Sequence, residues 1–276
     1  MLLAIDIGNT NITFGLFRGE KLQRTWSLST DIHRTAAEYE IQIDSLFQRA
    51  GHSPVEVDAV VMGNVVPPLQ APYEEVVQNL FGLQPYRVSA SHGDTGLKIL
   101  VDNPAEVGAD RIANAVACSD RYGGPAIVVD LGTATTFDVI SADGAYMGGA
   151  IAPGVQIASE ALFERAAKLP RVELVPPPSP IGRNTVHAMQ SGTVYGYVGL
   201  VRGLIHQLKE ELRKETDAEP RVIATGGLAP AIARYSGVVD ILDPHLTLEG
   251  LRLLYVRNHP GYGAPRGLPV HGGLNA

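Results

Sequence analysis

Leu2-Leu-Ala-Ile-Asp6-Ile-Gly8-Asn-Thr-Asn11 and Ala126-Ile-Val-Val-Asp130-Leu-Gly132-Thr-Ala-Thr-Thr136 are the stretches on which the fold turns. Each begins as a short, continuous, β-rich apolar run, the pattern of a strand buried on both faces. Each then reaches Asp-x-Gly, a row of hydroxyl and amide residues, and further strand formers ending in Phe14 or Phe137. The two aspartates lie 124 positions apart in a chain of 276, which argues for a duplicated unit. Two similar α/β lobes are expected, each opening on a hairpin whose amides and hydroxyls face a common cleft.

Outward from these runs, helix and strand signals alternate, favouring sheets with helices packed on them. Thr35-Ala-Ala-Glu38 is a capping box opening a helix with Tyr39, Ile43, Leu46, Phe47 and Ala50 at helical spacing and Gly51 at its stop. Residues 58–62 and 86–88 read as strands, and 73–81 as a helix. Another helix runs through Ile112, Ala115, Val116 and Ser119 to Gly123-Gly124. A lobe boundary there divides the chain into 1–123 and 124–258. In the second lobe, 128–149 reads as a hairpin system with an Asp143-Gly144 turn, followed by a helix entered through Pro153. A stiff loop at Val175-Pro-Pro-Pro-Ser-Pro180 leads to a long helix from Thr185 to about Lys214. A strand from Arg221 runs into Thr225-Gly-Gly227, then come a short helix, a strand over 238–242 and a final helix over 247–257. Residues 259–276, rich in Gly and Pro without hydrophobic period, read as a loose tail.

Composition narrows the function. Lys+Arg 22 against Asp+Glu 29 leaves a net charge of −7, so no basic field points to nucleic acid or an acidic membrane surface. Hydrophobic content of 45% with 18% charged residues is globular. The start lacks a basic region before its apolar run and no apolar stretch reaches 18 residues, so neither a signal peptide nor a membrane span is expected. The single cysteine, Cys118, cannot form an intramolecular disulfide, which favours the cytoplasm, and in its Ala-rich helix it reads as a small buried hydrophobe. The chain lacks a Gly-x-x-x-x-Gly-Lys-Ser/Thr loop, a Gly-x-Gly-x-x-Gly after a strand, and zinc-type spacings.

The 30 glycines and 19 prolines imply many special turns. An Asp-x-Gly turn can present backbone N–H groups to phosphate oxygens while its carboxylate holds a hydrated Mg²⁺. One copy is ordinary turn chemistry; two after equivalent strands make a phosphate clamp. Thr225-Gly-Gly227 is either a plain strand-to-helix turn or a close backbone approach to adenine or ribose. Gly192, Gly196, Gly199 and Gly203 share one face of the long helix. Glycine costs about 1 kcal/mol in a helix interior, so this stripe calls for a closely packed backbone, from the other lobe or from a second copy.

Taken with Asp102-Asn-Pro-Ala-Glu-Val-Gly-Ala-Asp-Arg111 and Gly148-Gly-Ala-Ile-Ala-Pro-Gly154, these turns resemble the actin/Hsp70/sugar-kinase ATPase superfamily. Within it, Gly108-Ala-Asp-Arg111 makes the chain similar to type III pantothenate kinases over roughly residues 1–258. The resemblance implies two duplicated ribonuclease-H-like lobes with the active site in the cleft between them. It implies ATP-dependent phosphorylation of pantothenate to 4′-phosphopantothenate, the first step toward coenzyme A, by a cytoplasmic homodimer using Mg²⁺ and a monovalent cation, K⁺ or NH₄⁺. It carries over Asp110 as general base. Asp6, Ile7, Gly8, Asn9, Thr10, Asn11, Ile12, Thr13 and Thr133 would surround ATP, with Asp6 also toward Mg²⁺. Gly108, Ala109, Asp110, Arg111 and Thr185 would meet pantothenate, and Asp130 the monovalent cation.

The same residues allow plainer roles. Asp110 could complement the dipole of a helix first turn, Arg111 could pair with Asp110 or another cleft acid, Asp130 could cap its own turn, and Thr185 could be an N-cap. Val101 stands where many members carry a tyrosine, which would alter the pantothenate pocket. Another small-molecule kinase of the superfamily, which would lack the Gly-Ala-Asp-Arg block, and a non-catalytic transcription accessory factor are the alternatives.

Overall fold

The computed structural model describes residues 1–91 and 93–262. The first apolar run is strand β1 (Leu2–Ile7), and the chain continues through β2 (Asn11–Arg18), β3 (Lys21–Ser29), helix α1 (Ala36–Arg49), β4 (Ala59–Asn64), α2 (Gln70–Phe81), β5 (Tyr86–Arg87) and α3 (Ala109–Tyr122). The second run is β6 (Ala126–Leu131), followed by β7 (Ala134–Ile140), β8 (Tyr146–Pro153), α4 (Val155–Arg165), α5 (Thr185–Leu212), β9 (Arg221–Thr225), α6 (Ala229–Ser236), β10 (Ile241–Leu242) and α7 (Leu246–Asn258).

The sheets run β3-β2-β1-β4-β5 and β8-β7-β6-β9-β10. In each, the first three strands of the copy are antiparallel neighbours and the last two add in parallel. β1 and β6 also share one burial pattern, with every residue buried except the aspartate. The duplication expected from the two runs is therefore present strand for strand, as two ribonuclease-H-like units.

The molecule is layered. One face of the first sheet packs on α1 and α2 through Phe14, Tyr39, Phe47 and Tyr73, and the outer face of the second packs on α4, α5 and α6 through Phe137, Tyr197, Val201 and Ile232. The inner faces share α3 and α7: Ile112, Val116 and Leu251 meet the first sheet, Ala117, Cys118 and Leu246 the second. α3 is Ala-rich because it is squeezed from several sides, and a Cβ on Gly250 of α7 would lie 1.9 Å from the Ala113 carbonyl oxygen. Cys118 is fully buried, as its setting suggested, and burial pushes its thiol up to about 12. α7 belongs to the later half of the sequence yet lies on β1 and β4 of the first.

Several local expectations need correction. Thr35 does form the capping box with Glu38, but Thr185 is not a cap: the Asn184 side chain accepts from the His187 N–H and Thr185 is the first helical residue. Asn and Thr both cap well, so adjacency left the register open. Pro153 ends β8, paired with Ala134, and Gly154 caps α4. The late strand shrinks to Ile241–Leu242, while Val238 and Val239 pack into the second core. The tail reading fails over 259–262: His259 stacks on Tyr255 at 4.0 Å, and the Tyr262 hydroxyl donates to Asp58 Oδ1 at 2.8 Å. Residues 263–276 lie outside the described residues. No described helix is long and apolar enough to cross a membrane.

Candidate active site

Both Asp-x-Gly turns open into one cleft of about 640 Å³. Asp6, Gly8, Asn9, Thr10, Asn11 and Thr13 line it from the first hairpin, and Asp130, Gly132 and Thr133 from the second. The Gly8 N–H donates to the Asn11 carbonyl at 3.0 Å, and the Gly132 N–H to the Ala134 carbonyl at 3.1 Å, so the second turn is one residue tighter. The hairpin tips touch: Thr10 Oγ1 and Thr133 Oγ1 are 2.6 Å apart.

Three glycines let other elements close on these turns. Gly154 donates its N–H to the Thr133 carbonyl at 3.1 Å, and a Cβ there would lie 2.2 Å from that oxygen. Gly226, at φ +90°, brings the Thr225-Gly-Gly227 turn against Asp130, where a Cβ would come within 2.5 Å of Oδ1. Gly108 caps α3 and leaves room for the Asp110 carboxylate, 2.4 Å from where a Cβ would stand. The late glycine turn thus lines the cleft rather than merely linking strand to helix.

Asp110 sits in the first turn of α3, beside Asp6 and Asp130, and lines the same cleft. Burial, then the charges of Asp110 and Asp130, push the Asp6 carboxyl up to about 8. Burial raises Asp130 to about 6 against a hydrogen bond from Asn114 Nδ2 at 3.0 Å. Burial also raises Asp110, opposed by the Arg111 N–H that donates to its Oδ1 at 2.8 Å. Burial raises all three acids, and the charge of Asp110 adds to the rise at Asp6 and Asp130, so the protonated or cation-neutralised forms are favoured here. Among the described residues no three His, Cys, Asp or Glu converge as a preformed metal cage.

Other expected site residues lie elsewhere. Ile7 and Ile12 pair across the hairpin with side chains buried in the core. Gly108, Ala109 and Arg111 adjoin Asp110 without lining the cleft. The Arg111 Nε–H donates to Asp138 Oδ1 at 2.7 Å, so Arg111 does pair with an acid, but that acid, Asp138, lies behind the cleft and not in its lining. Thr185 lines a different cavity, about 800 Å³ between α4 and α5, with Ser159, Met189, Gly192 and Gly196.

Sequence reasoning missed Asn114, Asp138 and the apolar end of the cleft formed by Leu228, Pro230, Pro244 and Leu248. Two of these left a trace: Asn114 is a polar residue in an otherwise apolar stretch of helix, and Asp138 is a charge inside the strand pattern Phe137-Asp-Val-Ile140. Thr247 Oγ1 donates to Asn114 Oδ1 at 2.8 Å, linking α7 to the Asp130 carboxylate.

A model of the family described as type III pantothenate kinase matches residues 2–207. The chain is a member of the type III pantothenate kinase family. A type III pantothenate kinase of Geobacter sulfurreducens is 52% identical over 258 residues, covering 94% of this chain and 99% of its own. One from Roseiflexus sp. strain RS-1 is 51% identical with the same coverage, and one from Listeria monocytogenes is 48% identical, covering 94% of this chain and 98% of its own. Among solved structures, a Campylobacter jejuni protein assigned to the Baf family of transcriptional activators superposes with a TM-score of 0.59 at 21% identity, over 93% of this chain and 98% of that one. A Listeria monocytogenes protein assigned as an N-acetylmannosamine kinase superposes at 0.52 with 9% identity, over 93% and 98%. Both likenesses speak to the fold alone, a two-lobed α/β architecture that this type III pantothenate kinase family member shares with them.

Proposed function

We propose that Asp110 is the general base of this kinase, taking the proton of the pantothenate primary hydroxyl as that oxygen attacks the γ-phosphorus of ATP. The enzyme phosphorylates pantothenate with ATP in coenzyme A synthesis. In the step, the new O–P bond forms as the bond to the β-phosphate oxygen breaks; ADP leaves, and the proton stays on Asp110. The observation that carries this reading is the place of Asp110, in one cleft with both phosphate turns and raised by burial above 3.8. A carboxylate raised in this way is a stronger base than one in water.

The remaining roles belong to the same proposal. Gly8, Thr10, Asn11, Thr13 and Thr133 offer N–H and O–H donors around the phosphates, and the Thr10–Thr133 contact gives way to phosphate oxygens. Asp6 faces Mg²⁺, which when bound neutralises charge on the β- and γ-phosphates. Asp130, steadied by Asn114, holds the monovalent cation, K⁺ or NH₄⁺. Arg111 adjoins Asp110 just behind the cleft lining, and we assign it the pantothenate carboxylate, which would reach it beside the Gly108-Ala109 turn. Thr185 lies apart from its own chain's cleft, so its substrate role requires a second copy. A homodimer joined along α5 would supply it: a Cβ on Gly192, Gly196, Gly199 or Gly203 meets nothing within 4 Å in this chain, which leaves the stripe free for another backbone. The lobes 1–123 and 124–258 would close on the substrates, in the cytoplasm, where the lone thiol of Cys118 stays reduced.

The test is product formation followed by ³¹P NMR, with and without K⁺. The reading expects ADP and a phosphomonoester in equal amounts, with turnover lost when K⁺ is replaced by Na⁺. A rate indifferent to the monovalent cation would remove Asp130 from that role.

A further inference from the structure

Arg111 follows the proposed base directly, yet its guanidinium is committed to β7. Its Nε–H donates to Asp138 Oδ1 at 2.7 Å. That oxygen also accepts the Tyr146 hydroxyl at 2.9 Å, and Oδ2 accepts the Thr136 hydroxyl at 3.3 Å. Arg111 Cζ lies 5.9 Å from the Tyr146 ring centroid. Asp138 is fully buried and the Arg111 side chain is 15% exposed, while Arg111 Nη2 is buried with no hydrogen-bond partner among the described residues.

This is a costly way to hold a helix on a strand. A buried ion pair recovers its desolvation cost only with excellent geometry, and apolar residues of similar volume often serve stability as well or better. A buried guanidinium donor without an acceptor adds a further penalty. The cost makes sense if the fork is held ready for an acceptor that arrives with substrate. The carboxylate of pantothenate is the acceptor whose planar geometry matches it.

We propose that Asp138, itself fixed by Tyr146, is a positioning residue: it anchors Arg111 through Nε so that the remaining guanidinium N–H groups meet the substrate carboxylate rather than the neighbouring Asp110. The inference rests on the substrate role of Arg111 proposed above. With Asp138 in place, Arg111 recognises the end of pantothenate remote from the reacting hydroxyl, and the Asp110 carboxylate stays free to accept a proton.

The experiment is steady-state kinetics of Asp138→Asn, Tyr146→Phe and Arg111→Ala with pantothenate, with pantothenol (an alcohol in place of the carboxylate), and with ATP. Asp138→Asn and Arg111→Ala are each expected to raise KM for pantothenate about tenfold, the scale of a hydrogen bond to a charged group. Wild type and Asp138→Asn should share one KM for pantothenol and one for ATP. Tyr146→Phe, which keeps both charges, should raise KM for pantothenate about threefold, and it decides between the outcomes if Asp138→Asn does not fold. A rise for pantothenol or ATP equal to that for pantothenate would make Asp138 merely structural and overturn the proposal. If Arg111→Ala raises KM for pantothenate while neither Asp138→Asn nor Tyr146→Phe does, positioning fails and the substrate role of Arg111 stands. If Arg111→Ala leaves that KM unchanged, both fall.

Discussion

Asp6, Asp110 and Asp130 are chemically alike, and their surroundings divide the work. Asp6 and Asp130 end equivalent strands, but Asp130 alone has an amide from Asn114, and burial carries it to about 6 rather than about 8. Both values lie above the ordinary 3.8, so the folded, cation-free protein favours the protonated acids. Their contribution to stability is complete below pH about 4 and is lost as pH rises through about 6 and then about 8. Thermal unfolding without metal or nucleotide should therefore show a melting temperature falling by several degrees between pH about 5 and about 8.5, with Asp6→Asn flattening the upper part and added Mg²⁺ restoring wild type. A melting temperature that climbs over this interval would contradict the electrostatic account. Sequence displayed the acids in the turns because Asp-x-Gly repeats; it hid Asn114 and Asp138, since Asn114 meets Asp130 and Arg111 meets Asp138 only through the packing of α3 between the two sheets.

The element that assembles the cleft is α3. Its first turn carries Asp110 and Arg111, its middle carries Asn114, and its close crossing with α7 depends on Gly250 against the Ala113 carbonyl. Gly250→Val should wedge the helices apart, lowering stability by about 1–3 kcal/mol and reducing turnover beyond that loss, because Asn114 and Asp110 move with Ala113. Denaturant unfolding paired with kinetics on the folded fraction checks this; a destabilised variant with full turnover per folded molecule would show that the crossing does not govern the site. Helices with strong local signals, such as α1 with its Thr35–Glu38 box, were legible in sequence. The packing of α7 on β1, and of His259 and Tyr262 against Tyr255 and Asp58, was not. α7 on β1 and Tyr262 on Asp58 join residues more than 200 positions apart, which periodicity does not report, and the local stacking of His259 on Tyr255 continues that docked end.

For the whole molecule, duplication explains why so much was readable: once one Asp-x-Gly hairpin is assigned, its copy fixes the other sheet and places the cleft between them. What a single chain does not contain is the surface that would cover α5. Gly196→Leu should fold at least as well as wild type, since it removes a helix glycine worth about 1 kcal/mol and meets nothing within 4 Å. It should nevertheless convert a dimer to a monomer by light scattering and raise KM for pantothenate, as Thr185 of the second copy is withdrawn. Wild-type mass equal to one chain at full activity would dismiss the dimer. The most direct test of the account is the formation of 4′-phosphopantothenate by wild type and Asp110→Asn at equal folded concentration. Loss of about 10²–10⁴ in turnover, with nucleotide binding and melting temperature retained, is the expected result. An Asp110→Asn enzyme that phosphorylates pantothenate at the wild-type rate would contradict the assignment of Asp110 as the base.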